Sequence, residues 1–298
     1  MLGKGYPEIT ILSRNQDYFR KKYPDLADTV KWVHGDILDP SSLPYSHHFS
    51  HILHAAAAST SGPEFKPLDR YSQIVDGTRH ILDLAVATGA SRFLLTSSGG
   101  VYGPQPSEVE KIPENYNGIP DPLNAQNAYS VAKRAAEHLC ALYQEHYGIQ
   151  SIIARCFTFV GQDLPVNIHF AVGNFIRDAL LSPQINVKGD GTPVRSYMDQ
   201  RDLAHWLLML MRYGRAGQAY NVGSDAAISI ADLAFLVRDT LAPSKMVIIN
   251  QGGGSENFRN RYVPSIQKAR EELSLDLQYN LVDSLKVFSV NNMVFYNK

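Results

Sequence analysis

Tyr129 and Lys133 stand four residues apart in the segment "AYSVAKRAAEHL". On a helix that spacing puts both side chains on one face, one turn apart. An ammonium so placed favours the phenolate and lowers a tyrosine pKa from its usual ~10. Such a tyrosine can serve as a general base near neutral pH. Taken alone, Tyr-x-x-x-Lys also describes a solvated surface pair. Ser98 tips the balance, because it ends the apolar run "RFLLTSS", where a strand can present its hydroxyl to the same substrate oxygen.

These residues need elements to carry them. Short apolar runs read as strands: "EITILS" (8–13), "VKWVH" (30–34), "SHILHAAA" (50–57), "RFLLTSS" (92–98) and "SIIARCF" (151–157). Helical patterns lie between them, "YSQIVDGTRHILDLAVATGA" after Pro67 and "NAYSVAKRAAEHLCALYQEHYG". Strands alternating with longer helices predict an α/β fold, a parallel sheet with helices on both faces. Ligands on such sheets bind at the carboxyl ends of the strands, where "TSS", "HAAA" and "CFTF" all fall. After Gly161 the segments shorten and loops multiply, which predicts a smaller C-terminal α+β lobe over 162–298, with some segments returning to a first domain over 1–161. "QGGGS" (251–255) reads as a mobile surface loop behind a strand-like "KMVIIN".

Bulk properties narrow the class. The 298 residues are 44% hydrophobic and 19% charged, ordinary for a globular chain. A formal net charge of -1 gives no electrostatic reason to expect nucleic acid or an anionic membrane as partner. Cys140 and Cys156 sit in apolar surroundings and read as buried thiols in a reducing compartment. No apolar run approaches the ~20 residues of a membrane span. The N-terminus has no apolar core of a signal peptide, so the expected location is cytoplasmic.

With the motifs taken in order, the chain resembles the extended short-chain dehydrogenase/reductase family, in its nucleotide-sugar epimerase/dehydratase branch. "GDI" (35–37) is similar to the family turn that contacts adenine, with Asp36 as acceptor and Ile37 beside it. "HAAA" resembles the strand motif lying along the cofactor, which implicates Ala55, Ala56 and Ala57. "SSGGVYG" places Ser98 on the catalytic hydroxyl, and "YSVAK" supplies Tyr129 as base and Lys133 as its partner on the cofactor ribose. "RCFTFVG" brings Phe157 to the cofactor and puts Thr158 where the family often has asparagine. "GDGTPVRSYMDQRDLA" (189–204) resembles another family segment, and "YNVGS" (220–224) looks like one that opens a late helix. Asn174, Arg195 and Arg261 match positions that touch the substrate diphosphate, for which arginine forks are suited. His54 is expected to be structural or to orient the cofactor.

The resemblance implies a Rossmann-like doubly wound sheet and an NAD(P)-dependent enzyme acting on a nucleotide-diphosphate sugar, in surface-polysaccharide sugar synthesis. Tyr129 would deprotonate a hydroxyl at C4 while hydride leaves that carbon, and Ser98 would hold the oxygen. Gly99 and Gly100 occupy positions where 4,6-dehydratases carry an Asp-Glu pair that removes water across C5 and C6. Without carboxylates there, the expectation is an epimerase or ketoreductase. A dTDP-glucose 4,6-dehydratase-like enzyme is the alternative, to which the "RY" of "NRYVPS" conforms. A second alternative is a non-catalytic nucleotide-sugar-binding protein. The strand ending "ILSRN" offers Ser13 and Arg14 in place of the acidic residue usual for NAD, which favours NADP over NAD. The apolar helix bearing Tyr129 implies a homodimer, which light scattering checks.

One family feature is not found in these residues. The strand and the G-x-x-G-x-x-G loop that open the family fold do not precede "EITILS", and Gly3 and Gly5 follow no strand. The expected sheet therefore lacks its first βα unit, leaving two strands each short of a neighbour. A start lying further upstream, a natural truncation and a repurposed binding protein all accommodate this. Taken as 298 residues alone, the chain is expected to hold NADP or NAD more weakly than ~1 mM and not to catalyse, because the loop's N–H groups and the helix behind it carry most of the pyrophosphate binding.

Overall fold

The computed structural model describes residues 8–57, 66–164, 170–250 and 261–288. Strand β1 (Thr10–Ser13) leads through helices α1 (Gln16–Lys22) and α2 (Pro24–Ala27) to β2 (Lys31–His34), and the two strands pair in parallel. The next three strands are β3 (His51–His54), β4 (Arg92–Ser98) and β5 (Gln150–Cys156), separated by α3 (Pro67–Ala87) and α4 (Ala128–Tyr147). Pro67 begins α3, where its missing N–H costs nothing. Gly148 ends α4 with φ 71°, a left-handed conformation that a side chain would disfavour.

The chain then runs through β6 (Phe159–Val160), α5 (Ala171–Leu181), β7 (Ile185–Val187), β8 (Val194–Arg195) and β9 (Met198–Asp199) into α6 (Gln200–Tyr213). Strand β10 (Gln218–Val222) returns to the main sheet and pairs in parallel with β5, giving the order β10-β5-β4-β3. "YNVGS" thus ends a sheet strand and does not itself open a helix. A short strand β11 (Ile228–Ser229) intervenes before α7 (Ile230–Leu241). Strands β12 (Val247–Ile249) and β13 (Arg261–Tyr262) and helices α8 (Gln267–Leu273) and α9 (Leu281–Lys286) complete the described chain. The "QGGGS" loop lies outside the described residues, as do Gly3 and Gly5.

Alternation along β4 and β5 sorts side chains to two cores. Phe93, Leu95 and Ile153 face α3 and α4, packing with Ile74, Leu82 and Ala136. Leu94, Ile152 and Ala154 face the opposite side, against Trp206 and Leu210 of α6 and Tyr220 of β10. This is the two-faced parallel sheet the sequence predicts. A further core joins α5, α7 and α9, with Val172, Ile176, Leu233, Val237 and Leu285 buried in it.

The predicted strand boundaries shift by a few residues. The third strand stops at His54, and Ala55–Ala57 belong to the turn beyond it, where the Ala57 N–H donates to the Ala55 carbonyl at 3.1 Å. Among the described residues, the ladder β1-β2 is not hydrogen-bonded to β3, so β1 and β3 each carry one unpaired edge. Leu12 and Ile52 from the two pieces still pack on one core. No described helix is long and apolar enough to cross a membrane.

Candidate active site

Strand β4 delivers Ser98 to the carboxyl end of the sheet, and α4 lays Tyr129 and Lys133 across that end. Ser98 caps a short 3-10 turn, Gly99–Tyr102, by accepting the Gly100 N–H at 3.1 Å. Its hydroxyl lies close enough to the Tyr129 phenol to favour the phenolate. The register pairs Ser97 with Arg155 and Ser98 with Cys156, so β5 backs the same strand end.

Lys133 makes a contact that helix spacing does not reveal. Its ammonium is buried and donates to the Thr96 carbonyl at 2.7 Å, while standing 5.9 Å from the Tyr129 ring centroid. Burial brings its pKa down to about 8. Tyr129 is accordingly raised above its ordinary pKa. Its own burial is the main cause, opposed by the Ser98 hydroxyl and by the charge of Arg70. The expected acidification of Tyr129 by Lys133 is thus not what this geometry delivers. The groups that favour the phenolate here are Ser98 and Arg70, the second of which sequence spacing had not singled out. His54 is buried with Nε2 3.2 Å from Thr78 Oγ1, and burial, with the Lys133 charge, pulls its pKa down to about 3. It is neutral at physiological pH.

The two glycines have a steric reason. A Cβ on Gly99 would lie 2.6 Å from both Phe157 Cζ and the Tyr262 hydroxyl oxygen. One on Gly100 would lie 2.7 Å from Ser130 Oγ. The Phe157 and Tyr262 rings touch with centroids 4.6 Å apart and planes tilted by 30°. No carboxylate fits at either position without displacing these groups. Behind the turn, Tyr102 is fully buried, donates to Asn221 Oδ1 at 2.8 Å and accepts from Arg155 Nη1 at 2.9 Å. Arg155 in turn grips Glu137 through Nε at 3.1 Å and Nη2 at 2.7 Å, and Ser97 Oγ donates to the same carboxylate at 2.6 Å. Glu137 lies one helical turn beyond Lys133, a spacing that could have revealed it.

The groups matched to a cofactor lie at the ends of β1, β2, β3 and β5. Arg14 Nη1 is 3.5 Å from Asp36 Oδ2, and Asp36 Oδ1 accepts the Leu38 N–H at 3.0 Å. Ser13 Oγ accepts the Asn15 N–H at 3.1 Å. The Ile37 carbonyl is 2.7 Å from His80 Nδ1. The resemblance to the family matches this set, together with Lys133 and Phe157, to the cofactor. The substrate-matched residues fall on other elements. The parallel pair β8–β13 sets Tyr262 opposite Arg195 and Arg261 opposite Val194. Arg195 Nη1 donates to the Val194 carbonyl at 2.8 Å, and Arg261 Nε to the Glu110 carbonyl at 2.7 Å. Asn174 on α5 accepts from Arg177 Nη1 at 3.2 Å. Thr158 accepts the Met198 N–H at its carbonyl, 3.0 Å, which ties the β5–β6 turn to β9.

A family model described as the NAD dependent epimerase/dehydratase family matches residues 1–223. UDP-glucuronic acid decarboxylase 1 of Arabidopsis thaliana is 29% identical over 254 residues, covering 85% of this chain and 56% of that protein. The chain therefore spans about half the length of the curated relatives of this kind. Among solved structures, UDP-glucose 4-epimerase from Thermotoga maritima, crystallised with UDP-glucose, superimposes with a TM-score of 0.81 at 22% identity, covering 97% of this chain and 91% of that one. A dTDP-glucose 4,6-dehydratase from Streptomyces venezuelae, with NAD bound, also gives 0.81, at 23% identity over 96% of this chain and 87% of that one. These structural likenesses establish the fold.

Proposed function

The chain belongs to the NAD dependent epimerase/dehydratase family, and from that premise we propose that the protein transfers hydride at one carbon, C4, of a nucleotide-diphosphate sugar, oxidising and re-reducing it as an epimerase or only delivering hydride to it as a ketoreductase. The observation that carries this reading is the convergence of Ser98, Tyr129 and Lys133 at one strand end, beside a turn whose glycines leave no space for a dehydratase's carboxylates.

Tyr129 takes the proton from the sugar hydroxyl and later returns it. Ser98 fixes the reacting oxygen by a hydrogen bond. Lys133 holds a cofactor ribose, with Asp36, Ile37, Ala55, Ala56, Ala57 and Phe157 along the rest of the molecule. When bound, a nicotinamide cofactor supplies the hydride acceptor and, in its oxidised form, a positive ring charge that favours the phenolate. Ser13 and Arg14 are read as favouring NADP over NAD. Asn174, Arg195 and Arg261 are read as diphosphate contacts, with Thr158 near the sugar.

A second reading is decarboxylation, supported by the plant relatives, of which UDP-glucuronic acid decarboxylase 4 of Arabidopsis thaliana is 31% identical over 81% of this chain. It shares the first step, because a ketone at C4 makes a carboxylate on C5 easy to lose as carbon dioxide. Product analysis by nuclear magnetic resonance separates the readings. The full-length protein is incubated with UDP-, dTDP-, GDP- and CDP-sugars, including UDP-glucuronic acid. A sugar changed only at C4 is the expected product. Release of carbon dioxide selects the second reading, and a 4-keto-6-deoxy sugar overturns the assignment made from Gly99 and Gly100.

A further inference from the structure

We propose that Arg134 is a positioning residue, whose guanidinium ties the catalytic turn Gly99–Tyr102 to helix α4 and so fixes Ser98 relative to Tyr129. The inference rests on the sugar-oxidising reading above, which gives those two residues their tasks. Its starting point is the way α4 divides its surface. Tyr129 and Lys133 form one stripe of the helix. Ser130 and Arg134, each one residue further on, form a second stripe, about 100° round the axis. The second stripe meets the turn. A Cβ on Gly100 would lie 2.7 Å from Ser130 Oγ, and one helical turn later Arg134 Nη1 donates to the Val101 carbonyl at 3.0 Å. The same nitrogen donates to the Gly118 carbonyl at 3.1 Å.

The Val101 carbonyl needs that donor. Ser98 Oγ accepts the Gly100 N–H, and the Gly100 carbonyl accepts the Gly103 N–H at 3.1 Å, so these groups are satisfied within the turn. Continued by one residue, the same pattern would bond the Val101 carbonyl to the N–H of residue 104, but Pro104 has none. Val101 is fully buried, and a carbonyl left unpaired there is costly. The guanidinium supplies the missing N–H from α4. Its second bond secures the loop that covers the turn, which lies tight against it. A Cβ on Gly118 would strike the Tyr102 carbonyl, and one on Gly103 the Ile119 carbonyl. The path from Ser98 to Tyr129 therefore runs through the turn, the Val101 carbonyl, the guanidinium and the first turns of α4. Releasing Arg134 lets the serine hydroxyl drift from the phenol, although both residues remain in place along their own elements. Neither the sequence motifs nor the family match assigns Arg134 a role, and its side chain is exposed.

Steady-state kinetics of the full-length protein test it, with whichever UDP-, dTDP-, GDP- or CDP-sugar the wild type turns over. Arg134→Met keeps the stem and removes the donors. Its expected effect is a roughly 10-fold lower kcat, within the range that misplacing a reacting group costs, with KM within about twofold of wild type. In a Ser98→Ala background the same change should cost less than about twofold, because Arg134 acts through the serine. An arginine that served stability alone would lower the active fraction equally with and without Ser98. Equal losses in the two backgrounds, a raised KM at unchanged kcat, or a kcat within about twofold of wild type for Arg134→Met overturns the inference. Should Arg134→Met fail to fold, Arg134→Gln, too short to span both carbonyls, is read in its place by the same criteria. If the wild type turns over none of the compounds, the sugar-oxidising reading itself falls, and this one with it.

Discussion

Tyr129→Phe is expected to lower turnover of the nucleotide sugar by about 10²-fold or more, the usual scale for loss of a general base. Nucleotide-sugar affinity should stay near that of the wild type. The phenyl ring still fills its place beside Ala132 and Ala136 in the first core, so the change removes one oxygen and little packing. The same argument fixes the pH dependence. A base must be deprotonated to act, and burial holds Tyr129 above its ordinary pKa in the unliganded protein, despite Ser98 and Arg70. The value of kcat/KM, which reports the free enzyme, should therefore rise with pH through the neutral and mildly alkaline range. In Tyr129→Phe that rise should disappear. Turnover within a factor of two of wild type, or an unchanged pH limb, would remove Tyr129 from the mechanism.

Glu137→Ala should unfold the protein more easily by about 3–5 kcal/mol, the cost of stripping one partner from a buried ion pair. Side chains of Arg155 and Glu137 are only 16% and 14% exposed, so little solvent screening intervenes. The substitution leaves a buried guanidinium facing Tyr102 without its carboxylate and takes the acceptor from Ser97. Urea denaturation reads the loss directly. Glu137→Met with Arg155→Met should recover much of it, because an apolar pair replaces a desolvated charge pair at little net cost. A single-substitution loss under about 1 kcal/mol would mean that water reaches Arg155 freely, against the burial seen here.

The pair explains part of what the sequence could and could not convey. The strand "RFLLTSS" was legible to its ends, because a continuous apolar run with hydroxyls after it has few other uses. Ser98, Tyr129 and Lys133 were legible as a set, since a helical spacing and a strand end are local signals. The direction in which Lys133 points was not. Its reach to the Thr96 carbonyl depends on how α4 sits over β4, and spacing along one helix carries no such information. Tyr262 stood in the quoted "NRYVPS", but its place beside Gly99 was not legible there, for the same reason. Its approach to Gly99 follows from the pairing of two-residue strands, too short to leave a period-two pattern. "YNVGS" misled because a strand that returns late to a parallel sheet looks, from sequence, like the approach to the next helix. Gly99 and Gly100 were noticed for the side chains they lack, while the side chains that fill that space came from Phe157, Tyr262 and Ser130.

The central claim is that hydride leaves C4 of the sugar while Tyr129 takes the hydroxyl proton. Its most direct test is turnover of a UDP- or dTDP-hexose carrying deuterium at C4, followed by rate and by the position of the label. The account predicts slower turnover than with the unlabelled sugar in a step limited by hydride transfer, and an epimerised product that keeps deuterium at C4. Turnover indifferent to the label, with the deuterium lost to water, would contradict it, because the carbon would then have given up a proton and not a hydride.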